Sequence, residues 1–440
     1  MLQVFRGEIL HFLDDPAKYS LSSNIEQSHQ HFVDGALVVE NGHVVKCGDF
    51  EALSKELIDG EYQLTNYEDG LIIPGMIDTH VHFPQIEMIA SYGEQLLEWL
   101  EKYTFPAERE FSDYQHGLAM AEFFLQQLLD SGTTTALVFG TVHKQSVDAF
   151  FTIAEQMKLR MICGKVLMDQ NCPEDLQDTP ETGYQDSKAL IERWHKKARL
   201  QYAVTPRFAP TCSAEQLAKA GQLLQEYPDV YLHTHLAENQ QEIEWVKSLF
   251  PQRSGYLDVY DKAKLLTKRS VFAHGIHLCD SDCQRLGETQ SAVAFCPSSN
   301  LFLGSGLFDL PKLQKHEVKV GIGSDVGAGT SLSIMKNLSE GYKIQQLRGD
   351  KLTPFQGLYL ATLGGAKALD LDDKIGNFLP GKEADFTVID LKATPLLTRR
   401  LAKCANLAEK LFVLMMLSDE RHIKATHILG KRVGEAVYKS

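Results

Sequence analysis

Residues 80–82 read His-Val-His, inside the run IIPGMIDTHVHFPQ. On a β-strand, side chains two apart share a face, so His80 and His82 can aim both imidazoles at one cation. By itself the spacing is weak evidence, because such a pair also arises as an ordinary surface or core feature. Other residues add to it. His235 in VYLHTH, His274 in SVFAH and Asp325 in GIGSDVG each end a short apolar run. Imidazoles from His80, His82 and His235 with the Asp325 carboxylate make a nitrogen-rich site with room for water, the open coordination of a hydrolytic metal centre. An Asp ending a buried strand is costly unless it binds a cation or is hydrogen-bonded, and its flanking glycines allow a tight backbone approach. Glu238 follows His235 by three residues, in HLAE. A carboxylate there leans over a metal without ligating it and shuttles protons if burial raises its pKa. The plainer alternative is a helix N-terminal acid, in AENQQEIEWV, favoured by the helix dipole.

Neighbouring polar residues read differently. His233 faces the same way as His235 but one layer deeper, as a hydrogen-bonded core histidine. His277 and His143 lie past strand ends, as loop residues. Lys165, in CGKVLMD, falls before a strand end, so we read it as structural and the centre as holding a single metal.

These residues need a scaffold that brings strand ends together. The middle of the chain repeats a short apolar run, a polar end and a helical stretch. The runs are 75–82, 133–139, 160–168, 201–206, 230–235, 270–274, 292–297 and 318–325, with helical patterns such as 116–132 and 213–228 between them. The second helix opens on Ser213 with Gln216 three residues on, a capping signature. Eight strands alternating with helices predict a (β/α)8 TIM-type barrel, whose catalytic groups gather at the C-terminal strand ends; a doubly wound open sheet is the rival on periodicity alone. Residues 33–48 read as a β-hairpin turning at Asn41-Gly42, and the segments 381–391 and 422–438 read as short strands. Both ends therefore form one small β-sandwich domain, 1–70 plus 376–440, around a barrel over 71–375.

Bulk composition limits the rest. The 440 residues are 44% hydrophobic and 23% charged, and 44 basic against 58 acidic residues give a formal charge of −14. A nucleic-acid polymer is repelled on average, and no basic run offsets this. Any nucleic-acid connection is then to a free base or nucleotide. The N-terminus lacks the n-region, apolar core and cleavage site of a signal peptide. The apolar stretch LFVLMML at 411–417 is too short to span a bilayer. Eight cysteines without a Cys-x-x-Cys pair read as reduced thiols of a cytoplasmic protein.

PGMIDTHVH, HTHLAEN, the strand-ending His274 and GSDVG together resemble the amidohydrolase superfamily, in its mononuclear metal-dependent deaminase branch, over nearly the whole chain as far as LPGKEADFTVID. The stretch HFPQIEMIASYGEQLLEWLEKYTFPAE (82–108), with LVFGTVH, TPRFAP and ATLGGAKAL, is similar to the guanine deaminase group of that branch. By periodicity 96–103 is only an amphipathic helix, with Leu96, Leu97, Leu100 and Tyr103 on one side. The resemblance implies one Zn2+ per subunit held by His80, His82, His235 and Asp325, with His274 contacting the zinc-bound water or polarising the intermediate. It implies that Gln85, Arg207 and Phe208 hold the purine, beside His235, His274 and Asp325. An amide and a guanidinium suit the O6 and ring N–H edge of guanine, and Phe208 offers a face or edge to a flat base.

The reaction expected on that basis is hydrolytic deamination in purine catabolism. Water activated on zinc attacks C2, Asp325 takes its proton, Glu238 protonates N3 and His274 steadies the developing charge, leaving ammonia and xanthine. The P-C-x-x-C ligand set of cytidine-type deaminases is absent. Rival readings are a deaminase or chlorohydrolase acting on 8-oxoguanine, a pterin, a triazine or cytosine, and a non-catalytic scaffold on the same barrel. The intact ligand set argues against the scaffold. His and Asp ligands also accept iron or manganese. The resemblance carries an expectation of a homodimer, and 84–108 is the candidate lid.

Overall fold

The computed structural model describes residues 2–19, 24–57, 61–93 and 95–433. Four strands lie in the N-terminal part: β1 (Leu2–Phe12), β2 (His29–Glu40), β3 (His43–Asp49) and β4 (Tyr62–Pro74). The middle carries β5 (Met76–His82), β6 (Thr133–Phe139), β7 (Arg160–Gly164), β8 (Val166–Leu167), β9 (Gln201–Pro206), β10 (Tyr231–Leu236), β11 (Ser270–His274), β12 (Ala292–Phe295) and β13 (Lys319–Ile322). The C-terminal part adds β14 (Phe386–Asp390), β15 (Ile423–Ile428) and β16 (Lys431–Val433).

The middle strands pair in parallel in the order β13-β12-β11-β10-β9-β7-β6-β5, with the short β8 beside β9. Two backbone hydrogen bonds tie the ends of this order together: Asp325 N–H donates to the His80 carbonyl (2.9 Å) and His82 N–H to the Val326 carbonyl (2.8 Å). The expected barrel is therefore present, and the open-sheet rival fails on this seam. Its interior is filled from successive strands by Ile77, Leu137, Ile162, Ala203, Tyr231, Val271 and Ala292, closed beneath by Ala366 and Ala368 of the helix Leu363–Ala368. Between strands run helices such as Tyr114–Asp130, capped by Asp113, and Ala214–Glu226, where the Ser213 side chain accepts from Gln216 N–H.

Three of the expected strands, 160–168, 292–297 and 318–325, stop short where the rim begins. The run 160–168 breaks at Lys165, and β13 ends three residues before Asp325. The barrel rim needs backbone that leaves the ladder, and Asp325 does so at φ 49°.

The chain ends build one seven-stranded sheet in the order β16-β15-β14-β4-β1-β2-β3, so the two termini share a sheet as the sequence indicates. Asn41 (φ 51°) and Gly42 (φ 82°) make the tight turn between β2 and β3. The extension of the C-terminal strand reading over 434–438 lies outside the described residues. Phe5, Ile9, Leu37, Val39, Ile72, Phe386 and Val388 pack on one side of the sheet, and Val4, Ala36, Val38 and Leu53 form a second cluster. Buried ion pairs fix this sheet to the base of the barrel. Arg160 pairs with Glu383, and Arg199 Nη1 reaches Glu383 Oε2 at 2.6 Å and Asp385 Oδ2 at 2.7 Å. Among the described residues no helix is long and apolar enough to cross a membrane.

Candidate active site

The C-terminal mouth of the barrel gathers the residues singled out above. A register shift between Asp78 and Val81 in the β5–β6 pairing changes which positions of β5 face inward. Ile77 below the shift, His80 within it and His82 above it all point into the barrel. His80 Nε2 lies 3.0 Å from Asp325 Oδ1, His82 Nε2 lies 3.1 Å from the same oxygen, and the two Nε2 atoms are 3.2 Å apart. On β10, His235 stacks against His82 and His274, with ring centroids 5.3 and 5.5 Å away and planes within 20°. His80, His235, His274 and Asp325 each offer a ligand atom within 4.8 Å of the others. Gly323 allows this closure: a Cβ there would sit 2.9 Å from the His80 Cβ.

Hydrogen bonds behind the rings set which nitrogen is free. His80 Nδ1 meets His233 Nε2 at 2.7 Å, and His235 Nδ1 donates to the Arg207 carbonyl at 2.7 Å. Both leave Nε2 for the centre, the usual means of orienting a metal-binding imidazole. His274 is the opposite case. Its Nδ1 accepts from Asn300 Nδ2 (2.9 Å), so Nε2 carries the proton and points to Glu238 Oε2 (3.4 Å) and Asp325 Oδ2 (3.8 Å). His274 is thus a donor aimed across the centre. Burial pushes the His82 and His274 pKa values down to about 4 and about 3, and His233 and His235 well below their usual range. Burial opposes the charge on Asp325, yet the surrounding histidines, His80 foremost, hold it well below the usual carboxylate range. The imidazoles converge on one carboxylate, and His82 Nδ1 and His274 Nε2 lack hydrogen-bond partners among the described residues. Imidazole nitrogens and a carboxylate oxygen about 3 Å from one another in a buried site are the donor types and the convergence that a metal ion takes, so the donor set fits one.

Glu238 is 2% exposed and follows Ala237, which sits at φ 48°. With His274 (φ 70°) and Asp325, three non-glycine residues around the mouth occupy the left-handed region, strain of about 1–3 kcal/mol each of the kind held at functional sites. Burial, with Asp325 and Glu242 nearby, raises the Glu238 pKa well above normal, and a hydrogen bond from Ser305 Oγ (2.9 Å) partly offsets this. Glu238 precedes the cap of the helix Gln240–Leu249; the acid that serves the helix N-terminus is Glu242, which accepts from the Glu238 and Asn239 N–H groups.

The adjoining cavity is lined by Gln85, Arg207, Phe208 and Glu238, with Leu96, Trp99, Leu100 and Leu303 as its apolar wall. Gln85 lies on the turn Phe83–Met88 directly after β5, and Arg207 directly after β9. Phe208 meets Trp245 edge to face at 6.2 Å. The expected single helix at 96–103 is instead a short α-turn, Leu96–Trp99, passing into a π-helical turn at Leu100–Thr104. Leu96, Trp99 and Leu100, at ordinary helical spacing, and Thr104 at the end of the π-helical turn line the cavity, while Leu97 does not.

Several residues outside the sequence-based list share in the site. Glu108, fully buried, accepts from Arg207 Nη1 (2.8 Å), Arg207 Nη2 (2.9 Å) and Gln85 Nε2 (3.1 Å). Asp78 accepts from His80 and Ser324 N–H groups, bridging the seam, with its pKa raised to about 6 by burial. Asn300 and Ser305 hold His274 and Glu238. None of these residues left a signal in the sequence that sets it apart from other polar residues. Lys165 pairs with Asp178 at 2.6 Å, away from the centre, and His277 bonds Gln240 and Ser305 in a loop. His143 ends its loop at the N-cap position of the helix Lys144–Gln156, with no capping bond from its side chain.

Residues 71–433 match the amidohydrolase family model. The chain belongs to the amidohydrolase family. It is 52% identical to guanine deaminase of Escherichia coli (strain K12) over 434 residues, 99% of this chain and 98% of the relative. The solved E. coli guanine deaminase superposes with a TM-score of 0.93 at 50% identity, covering 99% of both chains. A guanine deaminase from C. acetobutylicum, solved with guanine bound in its active site, superposes at 0.87 with 27% identity over 98% of this chain and 100% of the other. Amidohydrolases depend on a metal, and the His-His-His-Asp group at the mouth of this amidohydrolase's barrel is a metal-binding arrangement.

Proposed function

We propose that this amidohydrolase hydrolyses guanine to xanthine and ammonia. The observation that carries the reading is the placement of the Gln85–Arg207 pair, with Phe208, in one cavity with the His/Asp centre and Glu238. Gln85 Oε1 is held by Gly327 N–H at 3.3 Å, and Arg207 by Glu108, so both enter the cavity in fixed orientation. Their donors and acceptor match the O6 and ring N–H edge of guanine. The likeness to guanine deaminases over the full chain supports the same substrate.

We assign His80, His82, His235 and Asp325 to one Zn2+ per subunit. That ion supplies a Lewis acid that makes bound water nucleophilic at neutral pH. Asp325, ionised and next to the centre, accepts the proton of the attacking water. Glu238, kept protonated by burial, donates to N3 as C2 is attacked; the proton that Asp325 took from the water then passes to the leaving nitrogen, ammonia departs, and the C2 hydroxyl proton returns to Glu238. His274, with Nε2–H fixed by Asn300, donates toward the oxygen that gains charge. Phe208 and the Leu96, Trp99, Leu100 and Leu303 wall exclude water from the base. We also propose a cytoplasmic homodimer, which sedimentation velocity checks.

Ammonia release from guanine, cytosine, adenine and 8-oxoguanine by the metal-loaded enzyme tests the substrate. Guanine is expected to dominate; negligible guanine turnover with metal bound refutes the reading, and a larger rate on 8-oxoguanine or cytosine favours the rival.

A further inference from the structure

Glu108 has a place in the pocket that the reaction above does not explain. It comes from the short helix Phe105–Arg109, on the segment between β5 and β6, and it is fully buried. Both of its oxygens are occupied by the two side chains assigned to the base. Oε2 accepts from Arg207 Nη1, and Oε1 accepts from Arg207 Nη2 and Gln85 Nε2. The Arg207 guanidinium also lies 5.5 Å from the Phe105 ring, so the same helix covers its face. A bidentate pair of this kind fixes the guanidinium plane. It also cancels its charge where solvent does not: Arg207 and Glu108 side chains are 3% and 1% exposed. Arg207 therefore offers N–H donors without offering a net positive charge.

We propose that Glu108 is a positioning and specificity residue of the base pocket, which orients Gln85 and Arg207 and, by balancing the Arg207 charge, makes the pocket take neutral purines and reject anionic ones. The inference rests on the guanine reading above and deepens it. Guanine is neutral at physiological pH, whereas xanthine is the stronger acid and becomes an anion in mildly alkaline solution. A charge-balanced pocket favours the substrate and lets the product go. An unbalanced guanidinium would hold the product, because opposite charges a few Å apart in a partly desolvated site attract strongly.

The test is direct binding, by calorimetry, of xanthine and of hypoxanthine as a neutral reference, to the metal-loaded enzyme at one mildly alkaline pH. Glu108→Gln is expected to raise the preference for xanthine over hypoxanthine by at least about tenfold, from Coulomb attraction at an effective dielectric near 20. Glu108→Asp, which keeps the charge, is expected to retain the wild-type preference even if both purines bind more weakly. Arg207→Met, which leaves the carboxylate unbalanced, is expected to move the preference the other way, and it stands as the test if Glu108→Gln does not fold. A preference unchanged in Glu108→Gln, or in Arg207→Met where the former is insoluble, overturns the inference. Binding is read without turnover, so absent guanine hydrolysis in the same preparation refutes only the earlier reading. A wild-type protein that binds neither purine overturns both.

Discussion

Glu238→Gln isolates the proton-carrying role from everything else the side chain does. Glutamine keeps the volume of a side chain that is 2% exposed. Its carbonyl oxygen can take the place of Oε1, which accepts from Ser305 Oγ at 2.9 Å, while the amide nitrogen takes the place of Oε2, 3.4 Å from His274 Nε2. Glutamine cannot hold or release a proton. The nearest proposed metal ligand, Asp325, contacts His80, His82 and His274, and no hydrogen bond to Glu238 supports it, so metal content should be unchanged. The loss is then that of general acid–base catalysis, about 10²- to 10⁴-fold in kcat, equivalent to ~3–5 kcal/mol in the barrel-mouth transition state. KM for guanine should move little, because Gln85, Arg207 and Phe208 are untouched. The assay is steady-state ammonia release with metal analysis on the same sample. A variant that keeps more than about a tenth of wild-type kcat with full metal refutes the proton-shuttle assignment, since a positioned acid–base group contributes at least ~100-fold. Loss of metal along with activity would instead make Glu238 part of the metal-binding set.

Two further outcomes follow from the same geometry. His235→Ala is expected to lose metal and activity together while the fold persists by circular dichroism. Removing a partner behind a ligand costs about 10–100-fold in affinity, and removing the ligand costs more, so stoichiometric metal in this variant would refute the ligand assignment. Lys382 is buried with Nζ on the Ile375 carbonyl (3.2 Å), and burial lowers its pKa from 10.5 to about 8. The unfolded chain therefore binds more protons between those values, and wild-type stability rises with pH across that window. Lys382→Met should raise the unfolding free energy at neutral pH, read by denaturant titration, by on the order of 1 kcal/mol, allowing for solvent near the ammonium. The gain should shrink as pH passes from about 8 toward 10.5; a gain independent of pH would count against the linkage.

Periodicity carried the strands and helices, because a buried parallel strand must be apolar along its length and its helix must be amphipathic. That is why all eight barrel strands, the Asn41-Gly42 turn and the shared terminal sheet were legible. The closed barrel over an open sheet was decided by the seam between β5 and the segment after β13. The strand ends then gave His80, His82, His235, His274 and Asp325, since the barrel puts strand ends in one place. Residues whose role depends on one contact across the chain left little trace. Glu108 is one acid among many until Arg207, 99 positions away, closes on it. Asn300 fixes the proton on His274 only because a helix after β12 packs beside β11. The π-helical turn at Leu100–Thr104, which carries the chain from the cavity wall to Glu108, has no period a helical wheel would show. His80 and His82 were set on one face by their own spacing. What that face points at was decided by the register shift below them and the closure of β5 on β13, because a strand's pattern fixes its two sides and only pairing fixes which side is in.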